Sequence, residues 1–106
     1  MILCMPNHGT VDWLKDTDVI EVSCHISEAG AVPKTGPYTL PESAKQLICA
    51  VKYYERTAAQ AIVERNAEKA IDALMVNPLV NSYSLAEELL REYLGIYEEY
   101  TGGWKV

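Results

Sequence analysis

The pattern of apolar and polar residues changes period once along the chain, near residue 40. Before that point, short apolar runs are cut by PNHG (6–9), EAG (28–30) and PKTGP (33–37), and DVIEVSCHIS (18–27) carries the β-branched residues Val19, Ile20 and Val22. Runs of this kind bounded by Gly, Pro and Asn read as strands, here near 2–5 and 18–26, with a short extended piece near 31–33. In the longer strand Ile20, Val22 and Cys24 share one face and Val19, Glu21, Ser23 and His25 the other, so it is expected to be buried mainly on one side.

After residue 40 the period becomes helical. Pro41 suits a helix start, and Ala44, Leu47, Ile48, Val51, Tyr54, Ala58, Ala61 and Ile62 recur at three- and four-residue steps, predicting one amphipathic helix over 42–64. Asn66 can cap a second, short helix through AEKAIDALMV, ended by Asn77 and Pro78, since the proline ring disfavours a helical residue before it. A third helix is predicted from SLAE, where Ser84 and Glu87 have capping-box spacing, to about Tyr100, before Gly102 and Gly103. The fold class expected is α+β: one domain over 1–106, with a small antiparallel β-sheet in a β-rich part (1–40) and three α-helices in a helical part (41–106).

The opening run MILCMP is more apolar than the frayed ends typical of natural chains. Residue 1 is therefore expected to sit at a core strand in the middle of a longer pattern, with its upstream neighbour missing.

Composition narrows the function classes. With 106 residues, 49% of them hydrophobic, the chain can bury an ordinary core, and no apolar stretch approaches a membrane span. Fifteen acidic against nine basic residues give a net charge of -6, which argues against a nucleic-acid footprint. Three cysteines, Cys4, Cys24 and Cys49, at irregular spacing fit reduced thiols in a cytoplasmic protein better than a disulfide framework.

Candidate chemistry is sparse. Cys4, His8, Cys24 and His25 have the donor types of a tetrahedral zinc site. Adjacent residues in a strand point to opposite faces, however, so Cys24 and His25 cannot both converge, and the structural reading is preferred. PNHG could present Asn7 or His8 to a ligand, but turn chemistry accounts for the same residues. Tyr93, Tyr97 and Tyr100 fall at helical spacing, which reads as core or subunit interface. The carboxylate pairs Glu87 and Glu88, and Glu98 and Glu99, read as solvated charge.

The order of motifs says more than any one of them. PNHGTVDWL, DVIEVSCHI, LPESAKQLI, VKYYERTAAQAIVERNAEKAIDALMVNPLV and SLAEELLREYL, in that sequence and spacing, resemble the C-terminal part of glycoside hydrolase family 4, with the 6-phospho-β-glucosidase branch nearest. Asn7 and Gly9, Val19 to Val22, Tyr54 and Glu55, Ala58 and Ala59, and Asn77 to Val80 carry the likeness. Lys15 and Ser23 stand where the family favours proline, and Thr57 where it favours leucine.

The resemblance implies a parent enzyme that hydrolyses O-glycosyl bonds with NAD and a divalent metal, commonly manganese. It would oxidise the sugar at C3 to acidify the C2 proton, in contrast to the two-carboxylate route of most glycosidases. In the family the nucleotide turn, metal ligands and base lie upstream, so no catalytic, cofactor-binding or metal-binding residue is assigned to this chain. Its expected partners are the missing N-terminal nucleotide-binding part and a second copy of itself. Self-association, as a homodimer or larger, would use the strand at 2–5 and the helix face of Leu89, Tyr93, Tyr97 and Tyr100. The rival reading is a stand-alone helical interaction module without catalytic activity.

Overall fold

The computed structural model describes residues 1–34 and 39–104. The chain divides into two compact units, Met1–Leu40 and Pro41–Val106. Thr35, Gly36 and Pro37 of the PKTGP break lie outside the described residues.

The first unit is a three-stranded antiparallel sheet in the order β1-β2-β3, with β1 Ile2–Pro6, β2 Val19–Ser27 and β3 Gly30–Pro33. Leu3 stands opposite Val22 and Met5 opposite Ile20, which sets their side chains on one face with Cys24; Ile2, Cys4, Val19 and Glu21 take the other. Ile20 and Cys24 are buried while Val19 and Glu21 are exposed, so the one-sided burial read from the alternation holds. The β2–β3 hairpin turns tightly between Ser27 and Gly30, where Ser27 Oγ accepts the Ala29 N–H (3.2 Å) and Gly30 takes φ 101°, open to glycine at little cost.

The second unit is helical: α1 Glu42–Glu64, α2 Ala67–Val76, α3 Tyr83–Ile96 and a terminal turn α4 Glu98–Thr101. Pro41 precedes α1, and its carbonyl accepts the N–H groups of Ala44 and Lys45. The corner between α1 and α2 is two residues long. Arg65 adopts the left-handed conformation (φ 52°, ψ 44°), which ends α1, and Asn66 Oδ1 at once accepts the Lys69 N–H (3.1 Å) to start α2. Lys69 Nζ closes the corner on the Glu64 carboxylate (2.6 and 2.8 Å), and together with the Gln60 amide it holds the Glu64 pKa below its ordinary value.

Two expectations need correction. The third helix starts earlier than the capping-box spacing places it: Ser82, not Ser84, is the cap, extended at φ -154° with its Oγ accepting the Leu85 N–H (3.4 Å). Asn81 at φ 44° turns the chain just before, so Ser82 arrives first with the backbone angles a cap needs. The apolar stripe of α1 is also narrower than its period suggests: Leu47 and Ile62 are exposed, whereas Ala61 is buried. The helical core is alanine-rich. Ala61, Ala67, Ala70 and Leu90 form its centre, with Ile71, Leu74, Leu94 and Trp104 packed against it, and Ala73 and Ala86 are also buried. Small side chains let helix axes approach closely, which leaves larger residues at the flanks outside the contact.

Candidate functional site

The most organised polar feature is the loop joining β1 to β2, and Asn7 is its centre. Asn7 is fully buried. Its Nδ2 donates to the carbonyls of Val11 (2.9 Å), Lys15 (3.2 Å) and Leu14 (3.3 Å), while Oδ1 accepts the Val11 N–H at 2.7 Å. An amide offers two N–H hydrogens, so three carbonyls sharing them use all its donors, while the oxygen takes the Val11 N–H. The opposite orientation of the amide would set oxygen against three carbonyl oxygens.

The backbone completes the ring. Asn7 N–H donates to Asp18 O (2.7 Å), His8 N–H to Asp16 O (3.0 Å) and Thr10 N–H to Asn7 O (2.9 Å). Asp18, itself buried, accepts the Lys15 N–H on its carboxylate (3.0 Å). His8 (φ 43°) and Gly9 (φ 82°) are consecutive left-handed residues, which reverses the chain directly after Asn7 and leaves His8 on the outside. Of the two residues PNHG could present to a ligand, Asn7 is therefore committed to its own loop and His8 is exposed.

The four donors with zinc-site chemistry are not brought together. Cys4 lies opposite Glu21 on one face of the sheet, Cys24 is buried on the other, with Met5 Sδ 3.5 Å from its Sγ, and His25 is exposed on the face away from Cys24. Among the described residues no group of three or more His, Cys, Asp or Glu side chains is placed to hold a metal ion. All three cysteines are free thiols.

Two of the clefts among the described residues lie in the helical unit. One, of about 350 Å³, lies at the end of α3 between Arg91, Leu94, Glu98, Thr101 and Trp104; the other, of about 270 Å³, is lined by Glu68, Ile71, Asp72, Met75 and Tyr83. In the second, Asp72 is held by the Tyr53 hydroxyl, which donates to its Oδ2 at 2.8 Å. Glu87, Glu88, Glu98 and Glu99 are exposed, with Arg91 3.8 Å from Glu87, which agrees with solvated charge. Tyr93, Tyr97 and Tyr100 lie on the exposed side of α3 and α4, the first two with rings stacked at 6.2 Å and 12°.

A small sheet closed by an asparagine-centred loop, followed by an alanine-packed helical unit, defines an α+β chain. The chain belongs to the family 4 glycosyl hydrolases: residues 1–80 match their C-terminal domain. It is 33% identical over 94 residues to the probable 6-phospho-beta-glucosidase of Bacillus subtilis, covering 89% of this chain and 21% of that protein. It is equally identical, over 94 residues, to the 6-phospho-beta-glucosidase BglT of Thermotoga maritima, covering 22% of it. Among solved structures, a 6-phospho-alpha-glucosidase from gut microorganisms in complex with NAD and glucose-6-phosphate superposes with a TM-score of 0.87 at 25% identity, over 99% of this chain and 24% of its own. A second, in complex with NAD and Mn2+, has a TM-score of 0.84 at 21% identity, over 92% of this chain and 22% of its own, and bears on the fold alone. The chain thus spans about a fifth of the length of the curated relatives it matches. Among the described residues no helix is long and apolar enough to cross a membrane.

Proposed function

We propose that the chain is the C-terminal structural and oligomerisation region of an NAD- and divalent-metal-dependent 6-phospho-glycosidase acting in the cytoplasm. The observation that carries this reading is coverage. The relatives match nearly the whole chain with only about a fifth of their own length, and a solved relative at 25% identity holds NAD and glucose-6-phosphate. Three free thiols support a reducing compartment. Relatives named as acting on both β- and α-linked phosphosugars share the match, so the reading extends to the phospho-glycosidase class and not to one anomer.

Among the described residues, no group of side chains is placed to hold a metal ion. Cys4 and Cys24 lie on opposite faces of the sheet, His8 is in the loop after β1 and Cys49 is on α1, and among the described residues the strand-then-helix order contains no βαβ unit to set a glycine-rich turn at a helix start. Its contribution is to fold and to present surface, while reacting groups come from the rest of the parent. Calorimetric titration of NAD and Mn2+ into the isolated chain, with an aryl 6-phosphoglucoside assay alongside, is expected to give neither saturable binding nor hydrolysis. Saturable micromolar NAD binding would overturn the assignment.

A further inference from the structure

We propose that the cleft at the end of α3 is a binding site for a phosphorylated hexose, held between the Trp104 indole and the Arg91 guanidinium. The inference rests on the phospho-glycosidase reading above and adds to it a sugar-phosphate site within this chain's own helices.

The cleft measures about 350 Å³, within the roughly 300–1,000 Å³ typical of small-molecule sites. Leu94 and Trp104 give it an apolar wall, and both also pack on the alanine cluster, so the wall is anchored in the core. Arg91, Glu98 and Thr101 add a small set of polar groups. An apolar wall with a few convergent polar groups is the make-up of a site for a small polar molecule.

Gly95 is the observation that carries the inference furthest. It lies in the last turn of α3 with a helical backbone, where glycine is among the least favourable residues. Neither of the usual reasons for a glycine applies: its φ is not left-handed, and a Cβ built on it meets no atom within 4 Å. Gly95 lines the cleft, so what its missing side chain preserves is room there. Gly103, also in the lining, has φ 72°, and Arg65 Nη1 stands 3.5 Å from where its Cβ would lie, which sets a second guanidinium beside the cleft.

The polar groups select the occupant. Arg91 is tied only loosely to Glu87, at 3.8 Å with its side chain 69% exposed, so its planar fork can turn to phosphate oxygens. Thr101 Oγ1 spends its hydrogen on the Tyr97 carbonyl (3.0 Å), which leaves its lone pairs to accept, and the Glu98 carboxylate accepts as well. Sugar hydroxyls donate to such acceptors, and the C–H face of a pyranose matches the apolar body of an indole. A protein surface laid over the same cleft would bury the Glu98 carboxylate, and acidic residues are depleted from interface centres.

Amide and indole chemical-shift mapping of the chain, with glucose 6-phosphate, glucose and inorganic phosphate as separate probes, tests this. Glucose 6-phosphate is expected to shift Gly95, Gly103 and the Trp104 indole N–H saturably, with a Kd of about 1 mM or below. Glucose and inorganic phosphate should each bind at least about tenfold more weakly, since each offers half of the recognised groups. Arg91→Gln should weaken glucose 6-phosphate about tenfold. Gly95→Leu should abolish binding with Tm unchanged or raised, because leucine favours the helix and fills the space, so that the loss is separated from unfolding. No saturable shift at about 20 mM, shifts centred away from the cleft, an equal response to glucose or to inorganic phosphate, or undiminished binding by either variant overturns the proposal. None of these outcomes touches the assignment to a phospho-glycosidase parent, which the graft described in the Discussion tests separately.

Discussion

Asn7→Ala is expected to remove about 2–4 kcal/mol from the stability of the sheet unit, because it leaves several partly buried backbone groups unpaired at once. The side chain serves the carbonyls of Val11, Leu14 and Lys15 and the N–H of Val11. A single lost hydrogen bond costs about 1 kcal/mol net, but each buried group left unpaired costs about 1–3 kcal/mol. Asn7→Asp separates the two halves of the role: it keeps an acceptor for Val11 N–H but turns a charged oxygen towards three carbonyls, so it should be as damaging as alanine. Urea unfolding with amide hydrogen exchange over residues 7–18 reads both effects. A loss below about 1 kcal/mol, with loop protection retained, would mean that the backbone bonds from Asp16 and Asp18 hold the loop by themselves.

Leu90→Ala is expected to cost the helical unit about 2–4 kcal/mol, equivalent to a fall of roughly 10 °C or more in Tm for a unit of this size. Leu90 is the one large side chain in a buried cluster otherwise made of Ala61, Ala67 and Ala70. Alanines have no χ angle with which to reach into the space a leucine leaves, so the cavity persists instead of collapsing. Thermal denaturation followed by circular dichroism measures the shift. A change under 3 °C would indicate that the helices slide to fill the gap, and that the alanine packing is looser than the structure places it.

The difference between these residues also explains what the sequence reveals. The bounds of α1, Glu42–Glu64, and the Asn66 cap are legible because period, proline and cap chemistry act within a few residues of one another. Ser82 is not, since two serines at nearly the same spacing compete and Asn81's left-handed backbone decides between them. The exposure of Leu47 and Ile62 is equally hidden: a period shows which residues share a face, not how much of it a ten-residue α2 covers. The opposition of Cys24 and His25 follows from strand alternation alone, whereas the separation of Cys4 from Cys24 depends on the register of β1 against β2. Asn7 falls between these cases. Turn chemistry marks the position, but its burial and its reach to Leu14 and Lys15 depend on the course of the whole loop.

The central claim is that this chain supplies the C-terminal fold of a family 4 glycosyl hydrolase and that the reacting groups lie elsewhere. Grafting tests it most directly: the matching fifth of the Bacillus subtilis probable 6-phospho-beta-glucosidase is replaced by this chain, and hydrolysis of an aryl 6-phospho-β-glucoside is followed with NAD and Mn2+ present. The account predicts that the graft binds NAD and retains kcat/KM to within about tenfold, while deletion of the segment abolishes activity. A soluble graft that binds NAD but does not hydrolyse the substrate, or a deletion that remains fully active, would contradict it.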